Sequence, residues 1–402
     1  MKKWYSIILI FCILGLSAML FFGLKEGDAS NNDMVRFLHT EGASIKDGTG
    51  ATVALRGVNL GGWLVQEAWM CPTEFDAYFD VLDIFTERFG KQGCKELIDI
   101  WEDNYITEED FDNIKALGCN SVRLPFAWRT LQNSDYSYKE DAFDRLDWAI
   151  QKCAERQLYV VLDLHGAHGS QNGRHHSGQL VGELYSCPEN MERTEELWVR
   201  VASRYKDNPW VAGYDLLNEP EGQPGELLGK AQKDYYKRLY NAIRAVDNKH
   251  IIIMEAVWEP TVMPNPQKEG YENVVYQYHF YGWDNTNNFE YQKAFTNSKV
   301  LLLKLSHGAG VPCYIGEFTY FGLAESWDYA LNLYNEQGWS WSIWTYKVNG
   351  LGSSWGLYTA QTEKVYPETD SYTEIIRKWS QVQTALSYVA NTWLVDIVKL
   401  YS

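Results

Sequence analysis

Short apolar runs alternate with amphipathic segments along most of the chain, from about residue 50 to about residue 380. Each run is bounded by Gly, Pro or polar residues, which is typical of a buried β-strand. The segments between the runs repeat apolar residues every three or four positions, which indicates amphipathic helices. The runs lie at 53–63, 119–125, 158–164, 211–219, 250–255, 273–279, 311–317 and 339–344.

Eight strands that mostly alternate with helices predict βα units and a parallel sheet. Eight such units in about 350 residues fit a (β/α)8 TIM barrel of the α/β class. We therefore expect a single domain over residues 31–402. A doubly wound nucleotide-binding fold is not favoured, because no Gly-x-Gly-x-x-Gly follows the first strand. Pro125 is expected to end the second strand, and the last helix is expected to start near Thr373.

The N-terminal segment has a different pattern from the rest of the chain. Lys2 and Lys3 precede an almost unbroken apolar run from Trp4 to Leu24. Positive residues before an apolar run are typical of a secretory signal, and this run is also long enough to span a bilayer. Residues 1–30 are therefore expected to be a signal peptide or an N-terminal membrane anchor. Either places the remaining chain outside the cytoplasm, secreted or tethered at the cell surface.

Charge and composition narrow the classes of partner. The net charge of −17 argues against nucleic acid and suits a neutral polymer. The chain also contains 17 Trp and 27 Tyr. Such rings either stack on the apolar faces of sugars or pack in cores and interfaces, and composition leaves both interpretations open.

Six cysteines follow the N-terminal segment. An even number permits disulfides without requiring them. Cys119, Cys153 and Cys313 lie within apolar patterns, so we interpret them as small buried thiols. Cys71 and Cys187 lie in expected loops, and a bridge between them is a hypothesis.

Polar and aromatic side chains collect at the C-terminal ends of the predicted strands. In a barrel these ends meet at one face, where the chemistry takes place. Glu219 and Glu317 are carboxylates at the ends of buried strands, and such groups are costly unless they have partners or a function. An enzyme that works by paired carboxylates needs two such groups. The candidate residues are Glu67, Arg123, His165, Asn218, Glu219, His279, Tyr281, Glu317 and Trp344.

Some polar residues near the strand ends can be explained by a structural role instead of a catalytic one. Glu219 could instead form a structural ion pair with Arg123. Glu255 also ends a strand but belongs to no motif, so we interpret it as structural or as a support for the site. His175 and His176 are interpreted as exposed loop residues. The spacing of the histidines at 165, 168, 175 and 176 fits no tight zinc pattern, and no metal ligand is predicted.

The motif set resembles that of glycoside hydrolase family 5, within clan A of retaining glycosidases. The residues that carry the resemblance are Arg123, His165, Asn218-Glu219-Pro220, His279-x-Tyr281, Glu317 and Trp344. Residues 56–67 (R-G-V-N-L-G-G-W-L-V-Q-E) and 163–173 (D-L-H-G-A-H-G-S-Q-N-G) resemble the exo-β-1,3-glucanase branch. The chain departs from that branch at His168, where proline is usual, and at Arg174, where an aromatic residue is usual. Residues 344–354 (W-T-Y-K-V-N-G-L-G-S-S) are also not a close match to that branch.

The resemblance implies a single catalytic domain and a division of roles between the glutamates. Glu317 would be the nucleophile and Glu219 the general acid and base of a retaining double displacement. Arg123 and Tyr281 would stabilise the charge of Glu317, and Asn218 would hold the sugar 2-hydroxyl. The resemblance further implies that His279 positions the catalytic groups, and that Glu67, His165 and Trp344 hold the sugar.

The implied substrate is a neutral β-glucan or oligosaccharide, with β-1,3-glucan cleaved from chain ends as the main hypothesis. A β-1,4-endoglucanase (a cellulase) and a hydrolase of glucosyl lipids remain alternatives. A non-catalytic glycan binder would have no reason to keep both glutamates, and a metal hydrolase would be sensitive to chelators. No cofactor is expected, and we expect a monomer.

Overall fold

The computed structural model describes residues 37–221, 229–256 and 259–402, so the expected signal or anchor segment lies outside the described residues. The strands in this part of the chain are β1 His39–Glu41, β2 Ser44–Lys46, β3 Arg56–Asn59, β4 Ser121–Ala127, β5 Tyr159–Gly166, β6 Val211–Asp215, β7 Ile251–Glu255, β8 Val274–Tyr281, β9 Cys313–Thr319, β10 Ser340–Ile343, β11 Lys347–Asn349, β12 Tyr358–Ala360 and β13 Val389–Ala390.

Strands β3 to β10 form a closed barrel in which each strand runs parallel to its neighbours and β10 pairs with β3. The predicted (β/α)8 barrel is therefore confirmed. The helices are α1 Tyr78–Tyr105, α2 Glu108–Ala116, α3 Trp128–Leu131, α4 Asp144–Glu155, α5 Pro188–Tyr205, α6 Lys230–Arg244, α7 Pro266–Glu269, α8 Phe289–Leu305, α9 Ala324–Glu336, α10 Tyr372–Trp379, α11 Thr384–Ser387 and α12 Thr392–Tyr401.

The alternation of side chains along β5 decides which residues reach the centre of the barrel. Val160, Leu162 and Leu164 join the large apolar cluster that the barrel shares with its helices. Val161 belongs instead to a second, smaller buried cluster. Because successive side chains of a strand point to opposite faces, Asp163 and His165 share the inward face of Val161. The strand therefore delivers two polar side chains to the inside of the barrel.

The smaller cluster closes the barrel near the amino ends of its strands. It contains Val161, Ile253 and Tyr314 together with Ile45 of strand β2 and Leu38, which directly precedes β1. All five side chains are buried. The polar residues at the carboxyl ends of the strands therefore lie above an apolar layer that fills the other end of the barrel.

Two details of the sequence-based prediction are wrong. Pro125 does not end the second strand, since β4 continues to Ala127. The hydrogen-bonded ladder between β3 and β4 stops at Arg123. The side of β4 that faces β3 therefore needs no backbone N–H at Pro125. The helix near Thr373 is also not the last one, because α11 and α12 follow it.

The cysteines of the described residues are all free thiols, so the hypothesis of a Cys71–Cys187 bridge is wrong. Cys71 is buried with its sulfur 3.5 Å from the carbonyl oxygen of Gly62, whereas Cys187 lies beside Glu189. The prediction of buried thiols at Cys119, Cys153 and Cys313 is confirmed. Among the described helices, none is both long and apolar enough to cross a membrane.

Candidate active site

The two glutamates meet at the carboxyl ends of the barrel strands. One ligand atom from each of Glu219, His279 and Glu317 lies within 4.8 Å of the other two. Both carboxyl groups are buried, with 5% of Glu219 and 4% of Glu317 exposed. A separation of about 5 Å between two carboxyls is the spacing of retaining glycosidases, whereas inverting enzymes need room for a water molecule.

Arg123 lies at the centre of the polar network inside the barrel. Its guanidinium donates to Glu317 Oε1 at 2.7 Å and to Asp215 Oδ2 at 2.8 Å, and it lies 3.1 Å from Asp163 Oδ1. It also donates to the side-chain oxygens of Asn218 and Asn59. The structural alternative, an ion pair between Arg123 and Glu219, is not what the structure contains, because the arginine is bound to Glu317.

Two hydrogen-bond donors stabilise the ionised form of Glu317. Tyr281 donates its hydroxyl to Glu317 Oε2 at 2.9 Å, so both carboxyl oxygens accept a hydrogen bond. Burial raises the pKa of Glu317, and the positive charge of Arg123 opposes that rise. The pKa of Glu317 is still raised overall, and the two donors stabilise the ionised form that nucleophilic attack requires.

Glu219 has a different environment. Its Oε1 lies 2.9 Å from Nδ1 of His279, whose other ring nitrogen lies 3.4 Å from the amide nitrogen of Gln277. Burial and then the charge of Arg123 hold the pKa of His279 well below its usual range, so the ring is neutral and donates from Nδ1. Burial and then the negative charge of Glu317 raise the pKa of Glu219 well above its ordinary value. The surroundings of Glu219 therefore favour its protonated form.

The backbone at Glu219 adopts a left-handed conformation, with φ of 45°. Such a conformation is uncommon for residues other than glycine and persists only where its surroundings hold it. The backbone N–H of Glu219 donates to Glu255 Oε2 at 2.8 Å, and its carbonyl oxygen accepts from Asn172 at 3.1 Å. These contacts turn the side chain after β6 toward Glu317.

His165 and Trp344 form a flat polar and aromatic surface beside the carboxyls. Nδ1 of His165 lies 2.7 Å from Asp163 Oδ2, and its ring stacks on Trp344 with centroids 5.4 Å apart. Burial opposes protonation of His165, but the charge of Asp163 raises its pKa above the usual value. Gly61 allows this packing, because a Cβ at that position would lie 2.9 Å from the indole of Trp344.

Glu67 lies at the exit of β3 and faces the long loop after β5. Its Oε2 accepts from Trp69 Nε1 at 2.8 Å and lies 3.1 Å from Nε2 of His175. Burial alone would raise the pKa of Glu67, but the hydrogen bond with His175 lowers it. Glu67 therefore remains ionised next to a histidine whose pKa it raises.

The interpretation of His175 and His176 as exposed loop residues is wrong in part. The side chain of His175 is 49% exposed, but its ring nitrogen lies against Glu67. The side chain of His176 is 14% exposed and lies 3.4 Å from Glu219 Oε2, with Nε2 accepting from Asn172. Burial lowers the pKa of His176 to about 3, so this ring is neutral.

The departures from the exo-glucanase motif at His168 and Arg174 have different structural outcomes. His168 is fully buried away from the carboxyls, where its ring stacks on Trp128 and bonds to Gln132 and Thr194. Arg174 lies at the site, because its guanidinium donates to Glu221, two residues after Glu219. The loop is therefore tied to both sides of the mouth, through Glu221 and through Glu67.

An aromatic wall, defined as Trp69, Tyr281, Trp283, Phe321 and Trp355, borders the site. Trp355 contacts the other four rings, with centroids 5.2 to 5.8 Å apart. Trp69 is 41% exposed and Trp283 is 57% exposed. Flat, exposed indoles beside a buried carboxyl pair suit the apolar faces of sugar rings.

Sequence reasoning missed several residues that build the site. Asp215 and Asn59 bond to Arg123, and Asn172 and Glu221 hold the segment around Glu219. Glu255, interpreted from the sequence as structural or as a support for the site, accepts the backbone N–H of Glu219. Asp215 and Glu255 do carry a signal, since each is an acidic residue at the end of an apolar strand. Asn172 and Glu221 carry none, because their positions depend on how the loops close.

The chain matches the family model Cellulase (glycosyl hydrolase family 5) over residues 82–350, which is two thirds of its length. It therefore belongs to glycoside hydrolase family 5. It is 28% identical over 352 residues to a beta-xylosidase of Phanerodontia chrysosporium, covering 78% of this chain and 71% of that protein. It is 31% identical over 247 residues to a glucan 1,3-beta-glucosidase of Candida oleophila, covering 56% of this chain and 58% of that protein.

The fold is also similar to that of a solved endoglucanase structure. The endoglucanase Cel5A of Thermotoga maritima superposes with a TM-score of 0.55 and 20% sequence identity, covering 86% of this chain and 96% of the other. The match to the Candida glucosidase spans little more than half of that relative's length.

Proposed function

We propose that this protein is a retaining glycoside hydrolase that removes sugars from the ends of a neutral β-glucan, most of all a β-1,3-glucan. One observation carries the proposal: Glu219 and Glu317 lie close together and have partners that favour opposite protonation states. A protonated acid beside an ionised nucleophile is the starting state of a double displacement.

In the first step, a carboxylate oxygen of Glu317 forms a bond to the anomeric carbon while the bond from that carbon to the leaving oxygen breaks. Glu219 transfers its proton to the leaving oxygen. Loss of the Glu317 charge on glycosylation lowers the pKa of Glu219, which can then act as a base. In the second step, water attacks the anomeric carbon, Glu219 takes the proton, and Glu317 is released.

The proposal of end-directed cleavage is supported by the loop after β5. Arg174 ties this loop to Glu221 beyond β6, and His175 ties it to Glu67 beyond β3. Since β4 and β5 separate β3 from β6 in the barrel order, the two ties reach across the mouth. A wall of this kind converts a groove into a pocket that admits a chain end.

A time course on laminarin tests the proposal. End-directed cleavage should give glucose from the first minutes with little decrease in polymer length. A ladder of long oligosaccharides, or activity confined to β-1,4-linked cellulose chains, would contradict it and favour an open groove. A glucosyl lipid should be tested in parallel, because the exposed Trp283 also suits an apolar leaving group.

A terminal β-xylosidase is the second candidate, and the similarity to the Phanerodontia enzyme favours it. Both candidates need the same pocket and differ in whether it accepts the C6 hydroxymethyl group of glucose. Comparing kcat/KM for aryl β-glucosides and aryl β-xylosides separates them. A preference for the xyloside would replace the glucan assignment while leaving the mechanism intact.

We further propose that the protein acts outside the cytoplasm as a monomer without a metal or cofactor, either secreted or tethered through its N-terminal segment. The acidic net charge and the polymeric substrate support this location. Expression of the full chain followed by fractionation of medium, membranes and cytoplasm tests the location, and size-exclusion chromatography with light scattering tests the monomer. Activity that survives dialysis against EDTA is expected, and a loss that Zn²⁺ restores would favour a metal hydrolase.

A further inference from the structure

Glu255, at the end of β7, touches the backbone of the proposed acid. Its side chain is completely buried. Oε2 accepts the backbone N–H of Glu219 at 2.8 Å and lies 3.3 Å from the amide nitrogen of Gln277. The first contact falls at the residue whose φ is 45°, so Glu255 helps to hold the strained turn that points Glu219 at its partner.

Three carboxyl groups converge on one ring nitrogen of His279. Nδ1 lies 2.9 Å from Glu219 Oε1, 3.3 Å from Glu255 Oε1 and 3.5 Å from Glu317 Oε2. A single N–H cannot stabilise negative charge on three carboxyl groups at once, so the three cannot all be ionised. Glu317 has Arg123 and Tyr281 as donors, and Glu219 is nearest to the ring N–H.

Glu255 Oε1 is left without a hydrogen-bond partner among the described residues. A buried carboxylate oxygen in that position would be costly, whereas the hydroxyl of a neutral carboxylic acid costs less to bury. The orphaned oxygen therefore points to a proton on Glu255.

The charged and polar groups around Glu255 favour the same state. Glu219 and Asp215 approach from the β6 side, His279 and Gln277 from β8, and Tyr236 of α6 bonds to its backbone. The positive charge of Arg123 on β4 lowers the pKa of Glu255. However, the N–H groups of Arg123 donate hydrogen bonds to Asp215, Glu317 and neighbouring side chains rather than to Glu255. Burial raises the pKa of Glu255 well above its ordinary value, and any negative charge on the neighbouring Glu219 raises it further.

We propose that Glu255 is a positioning residue that works as a neutral carboxylic acid. Its carbonyl oxygen holds the backbone of Glu219, and its proton keeps another negative charge away from the acid and base. The inference rests on the proposed retaining mechanism for its kinetic consequence. It assigns a function to a residue that lies outside the family motif set.

Two substitutions separate charge from position. Glu255→Gln keeps the shape, the acceptor oxygen and the neutral state, whereas Glu255→Leu keeps the volume and removes the contact to Glu219. We expect the Leu variant to lower kcat on an aryl β-glucoside by about 100-fold, as for other small misplacements of a catalytic group. The Gln variant should recover most of that loss and keep the midpoint of the basic limb of the pH profile.

The opposite results would overturn the proposal. If Glu255 is ionised, Glu255→Gln removes a negative charge beside Glu219 and moves the basic limb to lower pH by about one unit. Near-native turnover in the Leu variant would remove the positioning role. Glu102→Gln is the matched control, because Glu102 is also a buried carboxyl but pairs with Arg145, outside the site.

Infrared difference spectroscopy provides a readout that does not depend on the substrate. The wild type minus Glu255→Gln spectrum at pH 7 should contain a band of a protonated carboxyl group. A carboxylate band in its place would overturn the proposal even if the variants were inactive. An inactive wild type with the protonated band would instead contradict the proposed activity and leave the state of Glu255 established.

Discussion

Two residues of the same type differ in their chemistry because of their neighbours. Glu317 accepts from a guanidinium and a phenol, whereas Glu219 accepts from a neutral imidazole. A cation beside one carboxyl and a neutral donor beside the other separate their pKa values. The chemistry of the two carboxyl groups therefore depends on Arg123 and His279 as much as on the glutamates themselves.

Replacing either carboxyl by its amide should abolish activity without unfolding the protein. Glu317→Gln and Glu219→Gln keep shape and volume, and we expect kcat to fall by at least about 1000-fold. Circular dichroism and thermal melts check the fold, and kinetics on laminarin check activity. Azide should partly rescue Glu317→Ala and give the product of opposite anomeric configuration. Near-native turnover in Glu317→Gln would rule out the nucleophile assignment.

The dependence of rate on pH should follow a bell. Activity requires ionised Glu317, which sets the acid limb, and protonated Glu219, so activity is lost as the pH rises through the raised pKa of Glu219. In Glu219→Ala, formation of the glycosyl-enzyme should survive on an activated aryl glycoside, because a good leaving group needs no acid. Rapid-quench bursts measure this step. Equal losses on activated and natural substrates would contradict the acid role.

At the scale of elements, the long loop after β5 should control where the chain is cut. Arg174→Ala removes its tie to Glu221, and charged hydrogen bonds of this kind contribute about 1.5–3 kcal/mol. We expect kcat/KM on laminarin to fall by about tenfold and longer oligosaccharides to appear among the products. Arg204→Ala is the control, because Arg204 also pairs with an acidic residue, Asp147, but lies on α5. An unchanged product profile in Arg174→Ala would show that the tie does not close the pocket.

Strands and helices could be predicted wherever the spacing of apolar residues within one short segment determines the structure. The eight barrel strands follow from apolar runs, and their carboxyl ends gather the site by topology alone. The contact of Arg174 could not be predicted, because it depends on how the loop after β5 closes against Glu221. Glu255 carries a signal as an acidic strand end, but its bond to the backbone of Glu219 depends on the turn that follows β6. The prediction that Pro125 ends its strand was wrong for a related reason. Whether β4 can contain a proline depends on where the neighbouring strand β3 stops, which the local sequence does not show.

At the scale of the whole molecule, buried histidines should make stability depend on pH. Burial lowers the pKa of His168 to about 3, so the folded state excludes a proton that the unfolded chain binds below pH 6.5. The stabilisation that comes from burying neutral His168 is complete above pH 6.5. As the pH falls below that value, the free energy of unfolding decreases by up to about 1.4 kcal/mol per pH unit. Thermal melts should therefore show that His168→Gln reduces the fall in Tm between pH 6.5 and 4.5.

His39→Gln is the control for this prediction, because His39 lies exposed on the β1–β2 hairpin. This variant should melt in parallel with the wild type across the range. A fall in Tm that is equally steep in His168→Gln would show that other groups govern the acid stability. Activity is not the readout here, since His168 is remote from the carboxyls.

The central claim is that Glu317 forms a covalent bond to the sugar, and trapping that species tests it most directly. A 2-deoxy-2-fluoro-β-glucosyl fluoride has a good leaving group but an electron-withdrawing substituent that slows both steps, so the glycosyl-enzyme should accumulate. Mass spectrometry of the intact protein should show the added fluoroglucosyl mass, and peptide sequencing should locate it on Glu317. Hydrolysis of the reagent without any covalent species, or a label on a residue other than Glu317, would contradict the account.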